Sequence, residues 1–253
     1  MNKQKKIQGL RDFLTRYSLP PQRPVLSLGV AGADAILGGG LVSGALHEIY
    51  AQDWAASGFA ACLAIRLAAQ KSFFWVRPDY EALEYGALNA QGLVELGLDA
   101  RNLFLVRTAN ASEALAATND ILSCPHAGVV LLELCGEPKA LDPLVSRRLN
   151  FTAAEKGTPV LFLHEGATDQ PSAAQTRWRV ACASSGDEDW GAPTYRAELI
   201  RNRLGPTGSW TMTWNPDDGL FRETVRFAHA PHPGRLAAPA FDRSAEKERR
   251  FAF

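Results

Sequence analysis

The chain has 253 residues, with 27 Lys+Arg balanced by 27 Asp+Glu, and 46% of its residues are hydrophobic against 21% charged. That composition belongs to a folded globular domain and excludes whole-chain disorder; the zero formal charge argues against a strongly electrostatic nucleic-acid binder while leaving room for a local basic patch. No apolar run approaches the ~18 residues of a membrane-spanning helix, and the basic start Met1–Lys6 leads into no apolar stretch of secretory type, so a cytoplasmic protein is expected.

In chain order, the first predicted element is a helix. Ile7, Leu10, Leu14 and Tyr17 fall on one apolar stripe, and Ser18-Leu19-Pro20-Pro21 ends it because proline cannot continue the hydrogen-bond ladder. An extended linker through Pro24 follows. Strands are then expected at His47–Tyr50, Phe73–Val76, Leu103–Val106, Val129–Leu134 and Pro159–Leu163. Helices are expected over Ala56–Gln70, over Glu113–Ser123 with Ser112 as cap, and over Leu141–Lys156. Val129–Leu134 is apolar without alternation, the mark of burial on both faces. Strands separated by helices imply an α/β domain with a mostly parallel sheet flanked by helices.

Beyond residue 175 the pattern changes. Arg177–Ala183, Tyr195–Arg203 and Ser209–Asn215 read as strands with no helix between them, and Leu204–Gly208 turns the last two into an antiparallel edge hairpin. Residues 227–253 read as a loose tail: prolines and a glycine come first, then a charged run carrying Phe241, Phe251 and Phe253. The expected organisation is an arm at 1–24, a core at 25–226 and a tail at 227–253.

Cysteine and histidine spacing carries no metal signature. Cys62, Cys124, Cys135 and Cys182 form no CxxC and read as buried reduced thiols, and the five histidines show no ligand spacing. No metal and no cofactor is expected.

The most informative stretch is Ile36-Leu37-Gly38-Gly39-Gly40-Leu41-Val42-Ser43-Gly44-Ala45-Leu46-His47-Glu48-Ile49-Tyr50. With Leu26-Ser27-Leu28-Gly29 before it and a strand–loop–helix after it, the run resembles the RecA-like core, in which it leads into the phosphate-binding loop. A working loop needs GxxxxGK[ST]: backbone N–H groups to cradle phosphates, a Lys for their charge and a hydroxyl for Mg²⁺. Here the corresponding residues are Ser57, Gly58, Phe59 and Ala60, so Phe59 stands in place of Lys and Ala60 in place of Ser/Thr. The resemblance therefore implies a RecA-like fold with a degenerate P-loop. Glu133, at the end of its strand, matches the Mg²⁺-associated acid of RecA-like ATPases; without the loop it reads as a salt-bridge partner or helix cap. Pro78 lies near the position of their water activator, with Asp79 and Glu81 as displaced acids.

An eroded nucleotide site, this length, and the pair Trp190-Gly191-Ala192-Pro193 and Ala197-Glu198-Leu199-Ile200-Arg201 resemble the ImuA family over roughly Val25 to Phe221. The resemblance implies a non-enzymatic accessory protein of damage-induced, error-prone translesion synthesis. Its partners would be an ImuB-type polymerase-like adaptor and an error-prone C-family DNA polymerase, with RecA as a further candidate. The SulA-like cell-division inhibitors, which also resemble a RecA fold without its P-loop, are the alternative. Two surfaces are expected to bind partners: Ile7, Leu10 and Leu14 of the arm, and Phe241, Phe251 and Phe253 of the tail. Arg177, Arg179, Arg201 and Arg203, with Trp178 and Trp210 nearby, raise direct DNA contact by basic residues interleaved with aromatics. The competing reading pairs those arginines with Glu198 and with loop acids at 187–189.

Overall fold

The computed structural model describes residues 23–51, 55–68, 71–80, 83, 86–136, 142–167, 170–185 and 191–224. The arm residues Ile7, Leu10 and Leu14, the tail residues Phe241, Phe251 and Phe253, and the loop acids at 187–189 lie outside these. In chain order the elements are β1 (Val25–Leu26), α1 (Ala31–Ile36), β2 (Leu41–Val42), β3 (Leu46–Ala51), α2 (Ala55–Ala68), β4 (Ser72–Pro78), α3 (Ala90–Glu95) and β5 (Leu103–Thr108). They continue as α4 (Ala111–Leu122), β6 (Ala127–Cys135), α5 (Pro143–Lys156), β7 (Val160–Glu165), β8 (Thr176–Cys182), β9 (Thr194–Asn202), β10 (Gly208–Asn215) and β11 (Leu220–Glu223).

Nine strands form one sheet in the order β11-β10-β9-β8-β3-β7-β6-β4-β5. The six from β8 to β5 are mutually parallel, and β9, β10 and β11 extend the sheet as an antiparallel meander. The predicted α/β class, the parallel core and the antiparallel edge are all present. β3 sits between β7 and β8, and all six of its residues are buried.

Chain direction decides which face each helix covers. From β3 the chain crosses toward the β5 edge through α2 and α3, then returns through α4 and α5. Right-handed crossovers place the outgoing and returning helices on opposite faces. Two separate apolar clusters result. One gathers α2 with Trp75, Leu131, Leu163, Trp178, Trp210, Trp214 and Phe221; the other gathers α4 and α5 with Val76, Leu132, Leu134 and Phe162. Helix α2 is apolar nearly all round, and ten of its residues are buried, including Phe59, Ala60 and Leu63.

The glycine run builds a local turn. β1 and β2 pair as a separate two-stranded sheet, Val25 against Val42 and Leu26 against Leu41. Gly40, at φ 138°, passes so close to β1 that an added Cβ would lie 2.1 Å from the Leu26 carbonyl oxygen. A side chain there would have to displace backbone, so this glycine is required by packing.

Three local expectations need correction. Helix α4 starts two residues earlier than Ser112 implies: Asn110 is its cap, accepting from the Glu113 N–H at 3.0 Å, while the Glu113 carboxylate accepts from the Ala109 N–H. Helix α5 begins at Pro143 with Asp142 as its cap. Of the cysteines only Cys62 is buried; Cys124 and Cys135 are half-buried and Cys182 is exposed.

Candidate functional site

In open parallel sheets, ligands gather at the carboxyl ends of the strands. Here Glu133 lies near that end on one face of the sheet, and Glu48, in the middle of β3, is the buried acid on the other.

On the α2 face, Glu133 of β6 accepts a 2.7 Å hydrogen bond from the Trp75 indole and lies 3.5 Å from the Arg77 Nε. Both charged side chains are 4% exposed. Burial raises the Glu133 carboxyl above its usual range, and Arg77 and Trp75 pull it back. Arg77 also donates to the Gly86 carbonyl at 3.4 Å, while its Nε has no hydrogen-bond partner. One strand away, the Ser57 hydroxyl donates to Glu165 at 3.0 Å. Glu133 is therefore a buried salt-bridge partner. Asp79, one of the displaced acids, pairs at the surface with Arg107 at 2.7 Å; Glu81 lies outside the described residues.

The residues standing where a phosphate loop would present its lysine and hydroxyl point elsewhere. β3 ends at Ala51 and α2 is already helical at Ala55, so Ala55, Ala56 and Ser57 are helical before Gly58 is reached. Phe59 and Ala60 have no exposed surface. The Phe59 ring packs among Phe221, Tyr195 and Trp178 at centroid distances of 5.3, 5.5 and 6.1 Å. Gly58 has a packing role: a Cβ there would meet the Tyr195 hydroxyl at 2.5 Å.

On the α5 face, Glu48 of β3 accepts from the Arg177 Nε at 2.9 Å and from the Ser172 hydroxyl at 2.7 Å. The same guanidinium donates to the Ser172 hydroxyl at 3.0 Å and to the Gln170 carbonyl, and lies 5.3 Å from the Tyr50 ring centroid. Arg201 donates to the Ser172 carbonyl at 3.0 Å. The segment between β7 and β8 is thereby tied down onto the sheet. His164 is stacked between Tyr50 and Phe162, at 4.3 and 3.9 Å, with its Nε2 3.9 Å from a Glu48 oxygen. Burial first, and the Arg177 charge second, lower the His164 ring to about 3, so it is neutral at pH 7. The adjoining cavity, about 20 Å³ between Glu48, Asp142 and Ser146, has room for nothing larger than a water molecule.

A larger groove of about 610 Å³ opens beside α2, walled by Trp75, Tyr195 and Trp214 and by Gly191, Ala192 and Pro193. It places the Gly191–Pro193 signature against Ser57 and Gly58.

The four arginines singled out for DNA contact do not share one surface. Arg177 is buried on Glu48. Arg179 is exposed and pairs with Glu198 at 3.2 Å, directly opposite it across the ladder. Arg201 is half-buried on Ser172, and Arg203 is exposed just past β9. Trp178 and Trp210 are buried on the α2 face, whereas Arg177 and Arg179 point to the other, because successive strand side chains alternate. These tryptophans are not placed to stack on a base held by those arginines.

Sequence reasoning missed Glu48, His164, Ser172 and Arg77. The available signal was Glu48 itself, an acid inside an otherwise apolar strand, which requires a buried cation elsewhere. Among the described residues no group of three or more His, Cys, Asp and Glu could hold a metal ion, and no helix is long and apolar enough to cross a membrane. No protein-family model matches the chain, and no curated protein matches its sequence.

Proposed function

We propose that this protein is a non-enzymatic accessory factor of damage-induced, error-prone translesion DNA synthesis, of the ImuA kind. In this reading it has a RecA-like core with a degenerate P-loop. It works by protein–protein contact with an ImuB-type adaptor and an error-prone C-family polymerase, with RecA as a further partner. The observation that carries the proposal is Phe59. At the position where a RecA-like ATPase needs a mobile lysine, an aromatic ring is locked into the core with Trp178, Tyr195 and Phe221. Supporting it, β3 is the central strand, α2 is the next described element after it, and helices cover both faces of the parallel sheet.

The test is genetic and then physical. A strain lacking the gene should lose damage-induced mutation and regain it with the wild-type chain, and the tagged chain should co-purify with the adaptor. Loss of filamentation after damage, with induced mutation intact, would move the assignment to the SulA-like division inhibitors. Mg²⁺-dependent ATP binding in the micromolar range by calorimetry would overturn the non-enzymatic reading.

A further inference from the structure

Helix α5 turns Ser146, Leu149 and Ala153 into the core. Diametrically opposite, Leu144, Arg148, Phe151 and Glu155 follow one another at i, i+4, i+7 and i+11, with Arg147 alongside. Leu144 and Phe151 are 67% and 69% exposed. A single exposed leucine such as Leu204 is ordinary at a turn. Two large apolar side chains one heptad apart on the outermost line of one helix form a ready-made pair of anchors.

The charges on the stripe select the occupant. Glu155 is held by Lys156 at 3.0 Å. Arg147 and Arg148 have no carboxylate partner among the described residues. The stripe is therefore apolar and cationic. In a second copy packed antiparallel, the register that lays Leu144 over Phe151 also lays Arg147 of each copy against Arg148 of the other, a like-charge clash. The chain's own last segment, Arg235 to Phe253, has five basic and three acidic residues and carries the wrong sign. We infer that the outer stripe of α5 docks an acidic amphipathic helix of a protein partner. Apolar residues of that helix meet Leu144 and Phe151, and its carboxylates pair with Arg147 and Arg148.

Photo-crosslinking in cells expressing the full chain tests this. The probe is Phe151→p-benzoylphenylalanine, with the same substitution at Leu204 as control, and the adduct is mapped by mass spectrometry. The expected adduct, specific to position 151, lies on a helix-forming segment in which Asp or Glu flanks apolar residues. Its yield should fall about tenfold or more in Arg147→Glu/Arg148→Glu. Should that double variant fold poorly, the crosslinking is repeated in lysate of the same cells, where raising the salt concentration on the unaltered arginines must lower the yield instead. No adduct, an adduct on a second copy or on a non-acidic segment, or a yield indifferent to both charge reversal and salt, overturns the inference. The outcome is separable from the translesion assignment. An acidic segment in a protein unrelated to translesion synthesis would uphold the docking surface and sink the pathway, whereas co-purification of the adaptor without such an adduct would do the reverse.

Discussion

The two faces of the sheet treat a buried acid in opposite ways. On the α5 face Glu48 is met by an arginine and a serine within 2.9 Å, and that arginine also grips the segment leading into β8. On the α2 face Glu133 has one good hydrogen bond and an arginine at 3.5 Å, and aromatic rings of α2 and β9 pack on the same face. Charge fastens a loop on one face; on the other it is a single ion pair beside a packed aromatic cluster. On both faces the described cation nearest the buried acid is engaged, Arg177 with Glu48, Ser172 and Gln170 and Arg77 with Glu133 and Gly86.

The largest expected effect breaks the aromatic cluster. Phe59→Lys removes a fully buried ring and puts an unpaired ammonium in its place. Loss of the ring alone costs about 3–5 kcal/mol, and the stranded charge adds to it. Urea unfolding should show a destabilisation at least that large, or no folded protein. If Phe59→Lys instead folds well and binds Mg²⁺-ATP, the α2 face is a nucleotide site with one residue missing. Calorimetry with the wild-type chain tests the same point without the variant.

Next comes a direct contest between the two ion pairs. Arg177→Met leaves Glu48 buried without its cation, a loss of about 3–5 kcal/mol. Arg77→Met should cost less, because Arg77 only approaches Glu133 at 3.5 Å without hydrogen-bonding it through Nε, whereas Arg177 hydrogen-bonds Glu48 at 2.9 Å and also holds Ser172 and the Gln170 carbonyl. Glu48→Leu combined with Arg177→Met should recover most of the loss, since a well-packed apolar pair needs no compensation. Equal losses for Arg177→Met and Arg77→Met in urea titrations at pH 7 would erase the distinction between the faces.

A smaller effect sharpens the reading of Gly58. Gly58→Ala brings a Cβ within 2.5 Å of the Tyr195 hydroxyl, so it should destabilise although alanine is the better helix former by about 1 kcal/mol. Tyr195→Phe removes that oxygen and should relieve the clash. A double-mutant cycle should therefore show coupling of about 1–2 kcal/mol. Additive effects would mean that Gly58 is a glycine for some reason other than Tyr195.

Much of the architecture is legible in the sequence because long periodic segments announce themselves. The strands from β3 through β10 and the three longest helices fall close to their predicted places. The elements that sequence patterns do not reveal, β1, β2, α1, α3 and β11, span two to six residues each, too few for a period to develop. Asn110 and Ser112 are both good caps by residue type, and only the Asn110 side chain reaches the Glu113 N–H. That Phe59 and Ala60 stand where a GxxxxGK[ST] loop would need Lys and Ser/Thr is read directly from the sequence. The Glu48–Arg177 pair cannot, since it joins residues 129 positions apart through a strand adjacency that no local pattern encodes. The separation of Arg179 from Trp178 is different: it follows from the alternation of a strand, which a count of basic and aromatic neighbours ignores.

The smallest predicted effect concerns pH and isolates the α5 face. His164 titrates near 3 in the fold and near 6.5 when unfolded. Below 6.5 the unfolded chain takes up a proton that the folded chain refuses, so this residue's share of stability is complete above that value. It is lost progressively as pH falls toward 3. His47, lowered to about 4 by burial, acts in the same direction. Glu48 and Glu133 act oppositely: their raised carboxyls disfavour the fold while ionised, and that cost shrinks as they protonate. The overall acid limb is a sum of opposed terms, and only a difference experiment separates them. His164→Phe keeps a flat ring between Tyr50 and Phe162 and removes an Nε2 that has no hydrogen-bond partner. Relative to wild type, this variant should become progressively more stable as pH is lowered from 7 to 5, with Arg177→Met excluded from the comparison because it changes the charge His164 faces. Parallel stability curves for wild type and His164→Phe across that interval would mean that the ring takes up its proton in the fold as readily as in the unfolded chain, and a wild type that gains on the variant as pH falls would mean that the ring is ion-paired to Glu48 across the 3.9 Å gap.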